Sequence, residues 1–236
     1  MATDSAVIFE GRRWPAVRVI RSPWRDPDSR IAFTVSGKGQ QWIAERPAAF
    51  WRSFSALDLP SAVRDPAAQA RVVWFLSRHG DPDGQLDRRV AAGEGIVSST
   101  YSWGSLIEAF RQVAAAWGEP NELGVSSMSD NKDRLAAADK ALRKLLPADP
   151  DGDREISKEI EVLYAAQGLT LRPQTLRAFM AISAASARER GISMRECMNC
   201  RDWFELRRSD AIFCSPSCQA ADHKRRATIP TNKAGK

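Results

Sequence analysis

The sequence predicts an α+β protein that is mostly α-helical, with a small N-terminal β-sheet, a helical body and a cysteine-built module near the C-terminus. Three observations support this fold class. Short β-branched and aromatic runs, separated by glycine and proline, fill residues 5–43. Apolar residues recur at helical spacing between residues 47 and 190. All four cysteines of the chain lie in one stretch, residues 197–218.

The length and composition fit one large domain, or one domain with a small appendage. The chain has 236 residues, a hydrophobic fraction of 43% and eight tryptophans, which is enough for a substantial core. No apolar run is long enough for a membrane span, and the charged N-terminal residues do not resemble a secretory signal. We therefore expect a soluble, cytoplasmic protein, in whose reducing surroundings paired cysteines favour metal over disulfides.

The N-terminal region is expected to form a small antiparallel sheet. Its strands are predicted at residues 6–9, 17–20 and 31–35, and glycines and prolines mark the turns between them. Three tryptophans are expected to cover this sheet, namely Trp14, Trp24 and Trp42.

The body is predicted to contain six helices, most of them marked by a capping residue or a proline at the start and an apolar stripe after it. A helix over residues 153–165 is predicted from the spacing of Ile156, Ile160 and Leu163. The other five helices are predicted to begin near Pro47, at Asp65, at Ser99 or Thr100, at Ser129 or Asp130, and at Pro173.

The segments between these helices are predicted to be irregular or extended. Residues 81–98 and 119–129 are expected to be loops. Residues 169–172 are predicted to be extended, because the residue before Pro173 avoids the helical region. The predicted division of the chain is a mostly helical domain at 1–190, a four-cysteine module at 191–228 and a disordered tail at 229–236.

The four cysteines form two close pairs that predict one tetrahedral zinc site. Thirteen residues separate the pair Cys197 and Cys200 from the pair Cys214 and Cys218. A closed set of four thiolates is the pattern of a structural Zn²⁺ site, which has no open position for catalysis. Disulfides conflict with the expected compartment, and a redox Cys-x-x-Cys needs a βαβ context that is missing. The thiolates already complete the coordination shell, so His223 is not expected to be a ligand.

The residues around the cysteines indicate how the module is built. A knuckle at the first pair is predicted to lead into a hairpin with strands at 203–206 and 211–213. Ser215 is placed to cap a helix that starts at Pro216 and carries the last cysteine. A knuckle, a hairpin and a helix that supplies the last ligand describe a treble-clef-like zinc finger.

Phe204, Phe213 and the Cys-Ser-x-x-Cys step at 214–218, followed by basic residues, resemble a known class of finger. On these features residues 196–226 resemble the CGNR-type zinc fingers of bacterial transcriptional regulators. The preceding helical region is similar to the ABATE-type domain of such proteins, at residues 75–80, in the Trp103 helix and at 169–176.

The resemblance implies a DNA-binding regulator in which the four cysteines bind zinc. The chain departs from the family after Cys218, where Gln219, Ala220 and Ala221 replace the Gly-Asn-Arg of the family. No role of those three family residues can be transferred to this chain.

The basic excess of the chain lies around the cysteine module. The net charge is +6, and residues 187–236 hold 11 Lys/Arg against 6 Asp/Glu, whereas the remainder holds 24 against 23. Arginine suits phosphate because its planar fork donates two hydrogen bonds at once, so we expect a nucleic-acid partner. Gln219, Asp222 and His223 are candidates to reach base edges. The residues expected to contact nucleic acid are Arg201, Arg207, Arg208, Gln219, His223, Lys224, Arg225 and Arg226.

Other interpretations stay open at this point. The module could be a docking surface for a protein partner or a second copy of the chain, or it could only staple the C-terminus. We do not expect an enzyme, because the chain lacks a glycine-rich phosphate loop and a Gly-x-Ser-x-Gly motif. His79 is expected to cap the end of a helix, and Trp203 to belong to the core of the finger rather than to stack on bases.

Overall fold

The computed structural model describes residues 6–21, 31–62, 64–82, 84, 98–99, 101–145, 159–165 and 168–227. Its helices are α1 (Trp51–Ser55), α2 (Leu59–Ala62), α3 (Pro66–His79), α4 (Tyr101–Ala114), α5 (Lys132–Leu145), α6 (Leu176–Glu189) and α7 (Pro216–Ala227). Its strands are β1 (Ala6–Val7), β2 (Phe9–Arg13), β3 (Ala16–Arg21), β4 (Ile31–Ser36), β5 (Gln40–Ala44), β6 (Ser98–Ser99), β7 (Val125–Ser126), β8 (Ile160–Ala165), β9 (Gly168–Pro173), β10 (Met194–Glu196) and β11 (Trp203–Glu205).

The strands form several small sheets, not the single N-terminal sheet that the sequence predicts. β2 pairs antiparallel with β5, and β3 pairs antiparallel with β4, which also carries β6. β1 leaves this region and runs parallel to β9, which pairs antiparallel with β8. β7, β10 and β11 form a further sheet that joins the body to the cysteine module. The β-rich N-terminus is confirmed, but its strands belong to three different sheets.

Aromatic side chains dominate the core around α1. Phe54 of α1 is fully buried, and its ring centroid lies 5.1 Å from that of Phe75 in α3 and 6.0 Å from that of Phe110 in α4. Phe179 of α6 stacks on Phe9 of β2 at 4.8 Å. Helix α1 packs against α4 and α6, and it also contacts β11 of the cysteine module.

The tryptophans expected over the N-terminal sheet have different environments. Trp14 is buried, and the half-buried Trp42 packs edge-on against Phe9 with 5.3 Å between ring centroids. Trp24 lies outside the described residues.

The residues at the two ends of α3 predict its limits correctly. The carboxylate of Asp65 accepts hydrogen bonds from the backbone N–H groups of Ala67 and Ala68, and the helix ends before Gly80. This confirms both ends of the predicted helix, because an aspartate cap and a left-handed glycine satisfy opposite helix termini.

The starts of three other helices differ from the prediction, whereas α4 begins at Tyr101, directly after the predicted Thr100. Pro47 and Pro173 lie ahead of α1 and α6, and α6 is capped by Thr175, whose hydroxyl accepts from the N–H of Ala178 at 3.1 Å. The cap of α5 is Asn131, not Ser129 or Asp130, since its side-chain oxygen accepts from the N–H groups of residues 133 and 134. Ser99 belongs to β6, and Thr100 lies outside the described residues.

Two predictions of secondary structure are wrong. The helix expected over residues 153–165 is replaced by β8, which pairs with β9 along its whole length; residues 146–158 lie outside the described part. Ile160 and Val162 favour strands, and pairing with an extended neighbour that ends at Pro173 outweighs the helical spacing. The loop expected at 119–129 contains β7, because Val125 and Ser126 pair with β10.

No helix within the described ranges combines the length and the apolar character needed to cross a lipid bilayer.

Gly80 is the glycine whose replacement we expect to be most harmful. It has φ +100°, and a Cβ atom would lie 2.1 Å from the backbone oxygen of Arg12. We expect Gly80→Ala to lower the free energy of unfolding by more than the ~1–3 kcal/mol of a strained backbone alone. A Cβ atom at Gly104 in α4 would have no other atom within 4 Å, so Gly104→Ala should raise the free energy of unfolding by about 0.5–1 kcal/mol. Urea denaturation measures both changes, and effects of equal sign would contradict this account.

Candidate metal centre

The four cysteine sulfurs lie together at one point of the molecule. All lie within 4.8 Å of one another, and Cys214 Sγ is 3.6 Å from Cys200 Sγ and 3.5 Å from Cys218 Sγ. Four sulfurs around one tetrahedral ion at ~2.3 Å would be ~3.8 Å apart. None of the four is in a disulfide. The predicted cysteine set, including Cys197, is therefore arranged to hold a metal ion.

The first cysteine pair sits in a tight backbone turn between β10 and β11. The N–H of Arg201 donates to the carbonyl of Cys197 at 2.9 Å, and the N–H of Cys197 donates to the carbonyl of Asp202 at 2.8 Å. Arg201 closes the turn with φ +62°, in the left-handed region. This geometry is the knuckle that the Cys-x-x-Cys spacing predicts.

The prediction that the strand at 203–206 pairs with residues 211–213 is wrong. β11 pairs antiparallel with β10, with Met194 opposite Glu205 and Glu196 opposite Trp203. Residues 211–213 are not a strand but lie beside the knuckle, where the N–H of Met198 donates to the carbonyl of Ile212 at 3.1 Å. The knuckle itself is the turn of the hairpin, so β11 takes the strand before the knuckle as its neighbour.

Helix α7 supplies the last ligand as the sequence predicts. Pro216 is its first residue, and the hydroxyl of Ser215 accepts from the N–H of Cys218 at 3.3 Å. This cap fixes the buried Cys218 in the first turn of α7, and only Ser215 separates Cys214 from the start of that helix.

The metal-free thiols differ in their acidity. Burial raises the pKa of Cys197, and the hydrogen bond with Cys214 together with burial raises the pKa of Cys200. Burial also opposes ionisation of Cys218, but hydrogen bonds from Asn199, Ser215 and the neighbouring thiols bring its pKa down to about 7. Metal ligation needs thiolates, so a metal that binds here must displace protons from the other cysteines.

A buried carboxylate, Asp202, connects the knuckle to the helical body. Its Oδ1 accepts from the hydroxyl of Ser53 at 2.6 Å, and its Oδ2 lies 3.2 Å from Arg78 Nε and 3.0 Å from His79 Nε2. Burial alone would raise the pKa of Asp202, but His79, Ser53 and Arg78 hold it below its ordinary value. Sequence reasoning missed this carboxylate, whose one local signal is its position two residues after Cys200.

His79 is a buried partner of the cysteine module and not only the end of a helix. Its ring stacks on Phe50 with 4.1 Å between centroids and an interplanar angle of 8°. Its Nε2 is within ion-pair distance of the Asp202 carboxylate but is poorly aligned for a hydrogen bond. The capping role predicted for His79 is therefore secondary to this contact.

Trp203 lies between the module and α1. The guanidinium of Arg52 lies 3.9 Å from the centroid of its indole ring, and its backbone N–H donates to Ser53 Oγ at 3.1 Å. Burial lowers the pKa of Arg52 to about 10. One face of the indole is thus covered by a cation, which agrees with a packing role for Trp203 and not with base stacking.

Five of the eight residues expected to contact nucleic acid line one groove, which we call the basic groove. It runs between the cysteine module and residues 46–50, and Arg46, which the sequence did not single out, also lines it. Arg201 lines a second groove instead, beside Arg71 and Trp74 of α3. The five predicted residues of the basic groove are Arg207, Arg208, Gln219, His223 and Arg226.

The remaining candidates lie on α7. Lys224 and Arg225 are exposed, and Arg225 donates to Asn199 Oδ1 at 2.7 Å, which ties the helix to the knuckle. Asp222 is buried and lies 2.9 Å from Arg225 and 2.7 Å from Arg226. The expectation that Asp222 reaches base edges is therefore wrong, since its carboxylate is turned inward and holds two arginines.

No family model, no curated protein and no solved structure matches this chain.

Proposed function

We propose that the cysteine module binds one structural Zn²⁺ in a treble-clef-like finger, and that the protein is a nucleic-acid-binding transcriptional regulator whose target is DNA. The observation that carries this proposal is the basic groove. Elements that hold the four cysteines also present arginines from the segment after β11 and from α7 to one concave surface. The CGNR-like residues quoted above support the same function.

Zinc is the metal that best fits this ligand set. Four soft thiolates at tetrahedral spacing favour Zn²⁺, which has no redox chemistry of its own, among the divalent ions. Because the thiolates fill the coordination shell, the ion would act as a scaffold for the groove and not as a catalyst.

The charge balance of the basic groove favours an anionic ligand. Among the described residues, Arg46 and Arg207 are exposed and make no ion pair. Each carboxylate that lines the groove has a cationic partner, which locally offsets its negative charge. These pairs are Asp202 with Arg78, Glu205 with Arg190 at 3.0 Å, Asp210 with Arg208 at 3.9 Å, and Asp222 with Arg226.

Binding of a labelled DNA duplex to the zinc-loaded protein, measured by fluorescence anisotropy over a salt series, tests this function. Contact with about four to six phosphates should give a slope of about −4 to −5 in log K against log salt. The double variant Arg207→Ala plus Arg208→Ala should weaken binding and reduce the slope by about 2.

The matched control is Arg143→Ala plus Lys144→Ala, which removes two exposed basic residues from the last turn of α5, outside the groove. It should bind DNA like the unaltered protein. Affinity that does not depend on salt, or that falls equally in both double variants, would contradict the proposal.

A second candidate function is protein–protein interaction, here with a second copy of the chain. Leu123, Met198 and Ile212 are large apolar residues that are 71%, 51% and 40% exposed. The Arg195 guanidinium holds two of these segments together by donating to the carbonyls of Leu123 and Ala211. Beside it, the backbone N–H of Met198 donates a hydrogen bond to the carbonyl of Ile212. Light scattering at rising protein concentration tests this function: a dimer that Met198→Ser dissociates would support it, and a strict monomer would exclude it.

A further inference from the structure

We infer that Arg78, a residue of α3 outside the cysteine module, is an outer-shell residue of the metal centre that couples metal binding to the packing of α3 against the module. This inference rests on the proposed zinc centre but not on nucleic-acid binding.

The geometry joins a ligand sulfur to the body through one guanidinium. The NH2 group of Arg78 donates to Cys200 Sγ at 3.6 Å, and its Nε donates to Asp202 Oδ2 at 3.2 Å. Because the guanidinium is planar and its donors point in fixed directions, two simultaneous bonds fix its position. The side chain is 36% exposed, whereas its carboxylate partner is 8% exposed, so the buried end of the contact is the acidic one.

The carboxylate in turn is anchored to a second helix. Asp202 accepts from Ser53 of α1, and the same hydroxyl accepts from the N–H of Trp203 in β11. The chain of contacts therefore runs from Cys200 through Arg78 and Asp202 to α1. A change in the position of the Cys200 sulfur must be accommodated by two helices of the body.

The charge of the centre makes a cation at this position favourable. Four thiolates around one divalent ion carry a net formal charge of about −2. A cationic donor to one of the sulfurs stabilises the ionised, metal-binding form of that thiol, and charge-assisted hydrogen bonds are the stronger ones. Groups that hold metal ligands in this way typically change metal affinity by ~10–100-fold when they are removed.

The affinity of the full-length, reduced protein for zinc, measured by competition with a chromophoric chelator, tests this inference. Arg78→Met keeps the length of the side chain and removes its charge and its donors, so we expect zinc affinity to fall ~10–100-fold. Arg78→Lys restores the charge without the fork and should recover part of the loss. The control Arg71→Met makes the same change at an exposed position of the same helix, and it should alter affinity less than twofold.

Circular dichroism at saturating zinc shows whether each variant is folded. If Arg78→Met is unfolded, the zinc affinity of Arg78→Lys tests the inference instead. Unchanged affinity in folded Arg78→Met, or an equal loss in Arg71→Met, would overturn the role of Arg78 while leaving the zinc centre in place. Absence of zinc binding by the unaltered protein would overturn both. Loss of DNA binding alone would affect neither, because the assay contains no nucleic acid.

Discussion

Removal of the metal ion from the reduced protein is expected to destabilise the whole chain and not only its C-terminal part. The free energy of zinc binding becomes folding free energy, about 10–16 kcal/mol in finger peptides at pH 7. This is comparable in size to the whole ~5–15 kcal/mol stability of a typical domain. The module is also joined to the body by pairing of β10 with β7, and Met194 of β10 is fully buried in the main core.

Thermal unfolding followed by near-ultraviolet circular dichroism, with and without a chelator, measures this effect, because seven of the eight tryptophans lie outside the cysteine module and report on the body. We expect the cooperative transition to be lost or shifted strongly downward, and to return when zinc is added back. Cys214→Ser should reproduce the effect of the chelator. Ser209→Ala, an exposed change in the same module, should not. A tryptophan signal that melts at the same temperature after chelation would show that the body folds independently of the metal.

Loss of the Asp202 carboxylate is expected to have the second-largest effect. Asp202→Ala leaves the partly buried Arg78 and the buried His79 and Ser53 without their common partner. Removing one member of a buried charged pair typically costs ~3–5 kcal/mol, and because the Arg78 side chain is 36% exposed we expect a loss near the lower end of that range. Urea denaturation at saturating zinc should show a loss of this size.

The matched control for this variant is Asp210→Ala. Asp210 belongs to the same module, but its side chain is 79% exposed and lies 3.9 Å from the equally exposed Arg208. Exposed pairs of this kind contribute ~0–1 kcal/mol, so we expect little change. Similar losses in the two variants would mean that Asp202 contributes no more than a surface carboxylate.

Local signals made the candidate metal ligands and the limits of two helices, α3 and α7, predictable. The cysteine spacing identifies the four ligands, and the Ser215–Pro216 step identifies the start of α7, because ligation and capping each depend on a few consecutive residues. The same holds for α3, between Asp65 and Gly80.

Long-range partners were not predictable from the sequence. The choice of β10 as the partner of β11, and of β9 as the partner of β8, depends on which strands the rest of the chain brings together. The outer shell of the centre was missed for the same reason, since Arg78 and Ser53 are far from the cysteines in sequence and become neighbours only through the packing of α1 and α3.

The pairing of β10 with β7 has a consequence for biosynthesis. A ribosome makes α1, α3 and α4 first, but Met194, which completes their common core, and the cysteines follow near the end of the region described. Domains fold as units, and contacts between distant segments form slowly, so we expect the body to complete its core only after these residues emerge. Translation that stops before residue 194 would release a chain with an exposed apolar surface, a substrate for chaperones and proteases, whereas zinc capture requires that residues 197–218 have been made.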